Sequence, residues 1–257
     1  MQHQQKIWPS SLWIIRHGQS SGNVARDAAE AAGVALIDIA SRDIDTPLSD
    51  LGIAQSQALG RWFAAMAPDE KPEVLLCSPY LRARDTAKHL MEHAALNSEH
   101  VVVRYDERLR EKEFGILDRL TSFGIAQKHP DLKEQRAHVG KFYFRPPGGE
   151  SWCDVILRLR SLNEMMSREY ASRRVLVIGH QVIVNCMRYL LENMDEKTIL
   201  EIDAKGDIPN CGVTLYRFDR LAEGAEIAPA LFNFVAPLEA SGTAVTKAPD
   251  VPAGPKP

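Results

Sequence analysis

Two arginines, two histidines and a serine in this 257-residue chain stand where short apolar runs stop. Leu12-Trp13-Ile14-Ile15 ends at Arg16-His17. Val74-Leu75-Leu76 ends at Cys77-Ser78, with Arg82 just beyond. Val175-Leu176-Val177-Ile178 ends at Gly179-His180. Runs of this length and composition read as buried strands, and ligands of open α/β sheets bind outside the carboxyl ends of the strands. The five residues can therefore converge although they lie far apart in sequence. What they would assemble is a cationic pocket. Guanidinium forks match phosphate oxygens bidentately and stay charged, and a helix opening after Gly179-His180 would add backbone N–H groups and a positive dipole end. The chemistry such a pocket suits is the binding of a phosphoryl group. Singly, each residue has a plainer reading: an Arg or Ser after a strand is usually a turn or cap residue, and a lone His is more often core or surface than catalyst. The case rests on their shared position at strand ends.

The elements that must position these residues alternate strand with helix. Ser49 is placed to cap a helix whose Ile53, Leu59, Trp62, Phe63 and Met66 share one face, with Pro68 and Pro72 ending it. Further helices are expected over Tyr80–His93, Trp152–Tyr170 and Val182–Asn193. Val101–Val103 reads as a third strand, Val213–Phe218 as a late alternating strand and Leu231–Val235 as another. From Arg104 to Glu150 the chain is charged and broken by Pro130, Pro146 and Pro147, which reads as a helical excursion that covers something. The pattern predicts an α/β fold: a three-layer α/β/α sandwich around a largely parallel central sheet. Residues 1–235 are expected to form a single domain with 104–150 as its cap or lid. Residues 236–257, rich in Ala, Pro, Gly and Thr, are expected to be a disordered tail.

Composition narrows the class. Apolar residues make up 45% and charged residues 25%, an ordinary globular balance. A net charge of −3 argues against nucleic-acid or anionic-membrane binding. Met1–Ser11 lacks a secretory pattern, and no uncharged apolar stretch is long enough for a membrane span. The four cysteines, Cys77, Cys153, Cys186 and Cys211, are widely spread without a Cys-x-x-Cys pair. They read as buried free thiols of a cytoplasmic protein.

Arg16-His17-Gly18-Gln19-Ser20-Ser21-Gly22-Asn23 resembles the signature of the histidine phosphatase superfamily, also called phosphoglycerate mutase-like. The resemblance continues in the family's order. Asp45-Thr46-Pro47-Leu48-Ser49 with Gly52 and Gln55 follows the signature; Ser78 to Ala87 resembles the second block; Leu109-Arg110-Glu111 with Phe114-Gly115 resembles the acid-bearing block. Pro147 to Ser151 and Ile178-Gly179-His180 match the last two, and Pro209-Asn210-Cys211 matches more weakly. The similarity covers about residues 12 to 218. It implies that His17 is a nucleophile that becomes phosphohistidine. Arg16, Arg82 and His180 would hold the phosphoryl oxygens. Asn23, Gln19, Ser20 and Gln181, the last through its backbone N–H, would add phosphate contacts. Glu111 would protonate the leaving oxygen and then activate water. Nearby positive charge disfavours the imidazolium form of His17, while a dianionic substrate and an apolar lid favour a protonated Glu111. Glu113 is the rival acid; two residues on in an extended segment it would point the opposite way, and the resemblance at Leu109 and Gly115 favours Glu111. Glu150, at a helix start, suits a capping or helix-dipole role.

The chain departs from the family pattern in a long Val24–Ile44 stretch, placed to line or cover the pocket. It also has Leu117-Asp118 where many relatives have Trp-Glu, and a 112–150 segment without the long insert of cofactor-dependent mutases. The expected activity is hydrolysis of a small phosphate ester, with no cofactor and no metal. The alternatives are a mutase-type phosphotransferase and a phosphate-ester binding protein without turnover. His89-Leu90-Met91-Glu92-His93 matches an inverted zinc-protease signature on a helix. It has no convincing third ligand, and chance recurrence is the stronger reading.

Overall fold

The computed structural model describes residues 8–97, 99, 101–218 and 226–247. Six strands, β1 (Ser11–Arg16), β2 (Val74–Cys77), β3 (Val102–Tyr105), β4 (Arg174–Gly179), β5 (Val213–Arg217) and β6 (Leu231–Phe234), form one sheet in the order β3-β2-β4-β1-β5-β6. β3, β2, β4 and β1 pair in parallel; β5 joins β1, and β6 joins β5, antiparallel. The apolar runs are central strands, buried on both faces, which is why they lack alternation. β3 begins one residue later than expected and is an exposed edge.

Successive side chains of a strand face opposite ways, and the core divides accordingly. Leu12, Ile14, Val175 and Val177 pack under α6 (Trp152–Glu169), α7 (Gln181–Leu191) and α8 (Glu196–Lys205). Trp13, Ile15, Leu176 and Ile178 pack on the other face against α2 (Asp50–Ala64), α3 (Leu81–His93) and α9 (Ala236–Ala240). The mixed α/β, three-layer arrangement agrees with the sequence reading. Burial pushes the thiols of Cys77, Cys186 and Cys211 up, that of Cys211 to about 12; all four cysteines are free, and Cys153 is only half-buried.

Two further segments build the walls over the carboxyl ends of the strands. The Val24–Ile44 stretch belongs to α1 (Ser21–Ala31) and a loop that closes in a 3₁₀ turn, Asp43–Asp45. The excursion after β3 contains α4 (Ser122–Lys128) and α5 (Pro130–Val139), around a small apolar cluster of its own: Leu117, Leu120, Ile125, Leu132 and Phe144. These walls are stitched to each other. Leu36 and Leu120 form a β-bridge, Ile37 N–H donates to Arg119 O (2.9 Å), and Ser122 N–H donates to Glu30 Oε1 (2.9 Å).

The tail expectation is corrected for residues 236–247. They form α9, whose Leu238 is buried against α2, and a strap running back to the sheet. The strap is held through buried amides of Gln55 and Asn210. Side-chain hydrogen bonds to a segment poor in large apolar groups leave no hydropathy signal. Residues 248–257 of the expected tail, and residues 1–7, lie outside the described residues. No helix among the described residues is long and apolar enough to cross a membrane.

Candidate active site

Register brings the reactive residues together. Arg16 is paired with Gly179, and Cys77 with Ile178, so β2, β4 and β1 end side by side. The parallel ladder continues one residue further: His17 N–H donates to Gly179 O and Ser78 N–H to Ile178 O, both at 2.9 Å. Arg16, His17, Ser78 and His180 are fully buried, and Arg82, in the first turn of α3, is 3% exposed. The signature loop also touches α2 closely. A Cβ on Gly52 would meet Gln19 O at 2.0 Å, so only glycine allows that approach.

Donor and acceptor types fix the state of His17. Its Nδ1 lies 2.6 Å from the carbonyl oxygen of Gly18, which can only accept; Nδ1 therefore carries the proton. Arg82 Nε, which can only donate, points at His17 Nε2 from 3.2 Å. The imidazole is thus neutral, with the Nε2 lone pair turned to Arg82, a residue that lines the cleft described below. The second imidazole, His180, meets it edge-on with ring centroids 5.1 Å apart, and its Nε2 lies 2.8 Å from Ser78 Oγ.

The outer edge of the Arg82 guanidinium is gripped by Asp43. Nη1 donates to Asp43 O (2.8 Å) and Oδ1 (2.9 Å), and Nη2 to Oδ2 (3.3 Å). Asp43 belongs to the long stretch after the signature, and with Ile39 it brings that stretch into a cleft also lined by Ser20, Asn23, Arg82 and Glu111. A carboxylate so near an anion site repels the anion by about 1 kcal/mol even at the permittivity of water. Asp43→Asn should accordingly lower the concentration of inorganic phosphate that half-inhibits the enzyme by about fivefold. An unchanged inhibition curve would mean that Asp43 does not face the bound anion.

Glu111 enters from the excursion side, 1% exposed. Its Oε1 accepts from Lys112 N–H (2.7 Å), and its Oε2 stands 3.6 Å from His180 Nδ1. Glu113 goes elsewhere: its side chain is 48% exposed, accepts from Tyr80 Oη at 3.1 Å and faces Arg110. The two carboxylates thus lie in different surroundings, Glu111 buried beside His180 and Glu113 half exposed. The capping role expected of Glu150 is corrected. Ser151 and Asp154 form the capping box of α6, while Glu150 pairs with Arg110 (2.6 Å) and Arg158 (3.0 Å) and accepts from Glu113 N–H. It braces the loop that carries Glu111.

The remaining residues divide. Ser20 and Asn23 line the cleft, and they are also the capping box of α1: Asn23 N–H donates to Ser20 Oγ (3.0 Å), and Ser20 N–H to Asn23 Oδ1 (2.9 Å). Gln19 is turned toward α2, its Oε1 accepting from Ser49 Oγ at 2.8 Å. Gln181 opens α7, and its side chain donates to Asp207 Oδ1 at 2.6 Å. Asp43 escaped the sequence reading, as did Lys112, whose ammonium lies 4.6 Å over the Phe114 ring with burial pushing its pKa down to about 8. The His89 and His93 pair is used locally. His89 Nδ1 faces Glu92 at 3.5 Å, and His93 Nδ1 donates to His89 O at 3.0 Å.

Fold and pocket together define a phosphoryl-binding α/β protein with a neutral histidine at its centre. Residues 12–225 match the family model of the histidine phosphatase superfamily, branch 1, and the chain belongs to that superfamily. It is 31% identical over 182 residues to a 6-phosphofructo-2-kinase/fructose-2,6-bisphosphatase of Caenorhabditis elegans, covering 70% of this chain and 34% of that protein. It is 26% identical over 230 residues to phosphoglycerate mutase-like protein AT74H of Arabidopsis thaliana, covering 82% and 75%. The chain thus spans about a third of the first relative's length and three quarters of the second's. Among solved structures, a mycobacterial glucosyl-3-phosphoglycerate phosphatase complexed with VO3 superposes with a TM-score of 0.63 at 26% identity, over 86% of this chain and 97% of that one. The α-ribazole phosphatase of Shigella flexneri shares the fold, with a TM-score of 0.66 at 19% identity over 88% and 96%.

Proposed function

We propose that this protein is a metal-independent phosphomonoesterase that hydrolyses a small phosphate ester through phosphohistidine at His17. The observation that carries the reading is the neutral imidazole whose Nε2 meets Arg82 Nε and whose ring stands edge-on to His180, next in the chain to the buried Arg16. In the first step Nε2 attacks phosphorus, the bond from phosphorus to the ester oxygen breaks, and Glu111 gives its proton to that oxygen. Arg82 Nε–H, freed from Nε2, moves to a phosphoryl oxygen. Arg16 and His180 take the others and stabilise the charge as it spreads over them. In the second step Glu111 accepts a proton from water, the water oxygen bonds to phosphorus, and the P–N bond breaks to restore His17.

The substrate reading is a small phosphorylated metabolite bound without nucleic acid or membrane. Asn23, Ser20, Gln19 and the Gln181 N–H are assigned to its contacts, and free, mostly buried thiols support a cytoplasmic setting. A panel of phosphate esters assayed with excess EDTA tests the reading. Turnover should persist undiminished on at least one ester. Activity that EDTA abolishes and a divalent metal restores would overturn the metal-independent route. Retained phosphohistidine that passes to a sugar acid in preference to water would make the protein a phosphotransferase.

A further inference from the structure

The Gly18 carbonyl that holds the His17 Nδ1 proton belongs to the same peptide unit as the Gln19 N–H. That unit is planar, so fixing one end aims the other. Gln19 N–H donates to Gln55 Oε1 at 2.9 Å. Gln55 is completely buried in α2, and its amide can be presented in two senses. Its sense is set from the far side. Nε2 donates to Ala244 O (2.9 Å) and Thr246 Oγ1 (3.0 Å) of the C-terminal strap, which leaves Oε1 facing Gln19.

Thr246 makes a second connection. Its hydroxyl donates to Asn210 Oδ1 at 2.9 Å, its carbonyl accepts from Asn210 N–H at 2.9 Å, and Asn210 Nδ2 donates to His17 O at 3.0 Å. Asn210 is likewise fully buried. One hydroxyl thus has a single proton, spent on Asn210, and a lone pair, spent on Gln55. The carbonyls of Ala244 and His17 can only accept and the Gln19 N–H can only donate, so they impose the same amide senses, and the hydroxyl joins the two chains: through Asn210 to the His17 carbonyl, and through Gln55 and the Gly18–Gln19 peptide to His17 Nδ1.

We propose that Thr246, together with the Ala244 carbonyl and acting through Gln55 and Asn210, is a positioning residue that holds the tautomer of the His17 imidazole. If the Gly18–Gln19 peptide turned over, an N–H would replace the carbonyl beside Nδ1. The imidazole would then favour its proton on Nε2, the nitrogen that faces Arg82 and must attack. The strap therefore keeps the reacting nitrogen unprotonated without touching it. The inference rests on the reading of His17 as nucleophile only for its effect on rate; the tautomer itself is a property of the resting protein.

Thr246→Val keeps the side chain's shape and removes the hydroxyl, and Thr246→Ser restores it. Groups that orient a reacting ligand from one layer out typically contribute 10- to 100-fold, as the outer hydrogen bonds of metal-bound histidines do. Thr246→Val should therefore lower kcat by roughly tenfold with KM within about twofold, and Thr246→Ser should recover most of the loss. Nitrogen NMR of the His17 ring should report a proton on Nδ1 in the unsubstituted protein and a mixture of tautomers in Thr246→Val. If Thr246→Val does not fold, Gln55→Met serves in its place. It keeps the length of the side chain but removes the acceptor for Gln19 N–H and both Nε2 donors, and it should show the same kcat loss and tautomer mixing. A folded variant with unchanged kcat and an unchanged ring spectrum would overturn the proposal, as would an Nε2 proton in the unsubstituted protein. Failure to trap phosphohistidine would instead count against His17 as nucleophile and leave the tautomer result standing.

Discussion

His17→Ala should abolish turnover and the acid-labile phosphoenzyme while leaving the protein folded. Loss of an essential nucleophile costs on the order of 10⁴ to 10⁶ in rate, and this position has no substitute within reach. The other imidazole in the pocket, His180, has its Nε2 on Ser78 and its Nδ1 facing Glu111. The fold should survive because the loop is held by backbone. The His17 N–H donates to Gly179 O and its carbonyl accepts from Asn210, and neither bond involves the imidazole. Steady-state assay and acid quench of radiolabelled phosphoenzyme measure the outcome, with circular dichroism as the control. Activity near that of the unsubstituted protein would remove His17 from the mechanism.

Glu111→Gln should separate substrates by leaving group. The substitution keeps the side chain's shape, and the glutamine Oε1 can still accept from Lys112 N–H as Glu111 does. It removes the transferable proton. General acid catalysis contributes about 10² to 10⁴-fold, and the contribution is largest where the departing oxygen is most basic. Single-turnover phosphorylation by sugar phosphates should therefore slow by about 10² to 10⁴-fold, and by aryl phosphates much less. Hydrolysis of the phosphoenzyme should slow as well, because the same carboxylate then serves as base. Equal slowing with both ester types would show that Glu111 is not the acid. Glu113, turned toward Tyr80 and Arg110, would then have to move to take its place.

Much of this was legible in the chain, for a physical reason. Central strands of a parallel sheet are buried on both faces, so they read as unbroken apolar runs, and the residue at which each run stops is the one delivered to the pocket. Arg16-His17, Ser78 and His180 were visible in that way, and the resemblance supplied Glu111. The sequence was silent where structure depends on polar groups with several partners. Ser20 and Asn23 suited a phosphate site and also cap α1, a helix whose buried face is Gly22, Asn23, Arg26 and Ala29, with no large apolar side chain. Helix α8 was likewise unread, because only Ile199 among its large apolar residues is fully buried. Asp43 lies in a stretch whose path depends on a bridge from Leu36 to Leu120, 84 positions further along the chain. The strap leaves little signal because only Val245 packs on the core and its other attachments are amides and a hydroxyl.

The stitching between the two walls bears on how the specificity of this protein can change. The segment after the signature and the excursion after β3 share a β-bridge and several hydrogen bonds, and Gly124 of the excursion packs so closely on Ala35 that a Cβ would meet its carbonyl at 2.0 Å. A substitution in either wall thus perturbs the other, and effects of paired changes across this seam will not add. For protein engineering the natural unit of exchange is the pair of segments transplanted together. Grafting one loop alone would present a borrowed surface to a partner that does not fit it. The sheet-end residues beneath, fixed by strand register, form a constant chemical floor on which such a two-part module can be swapped.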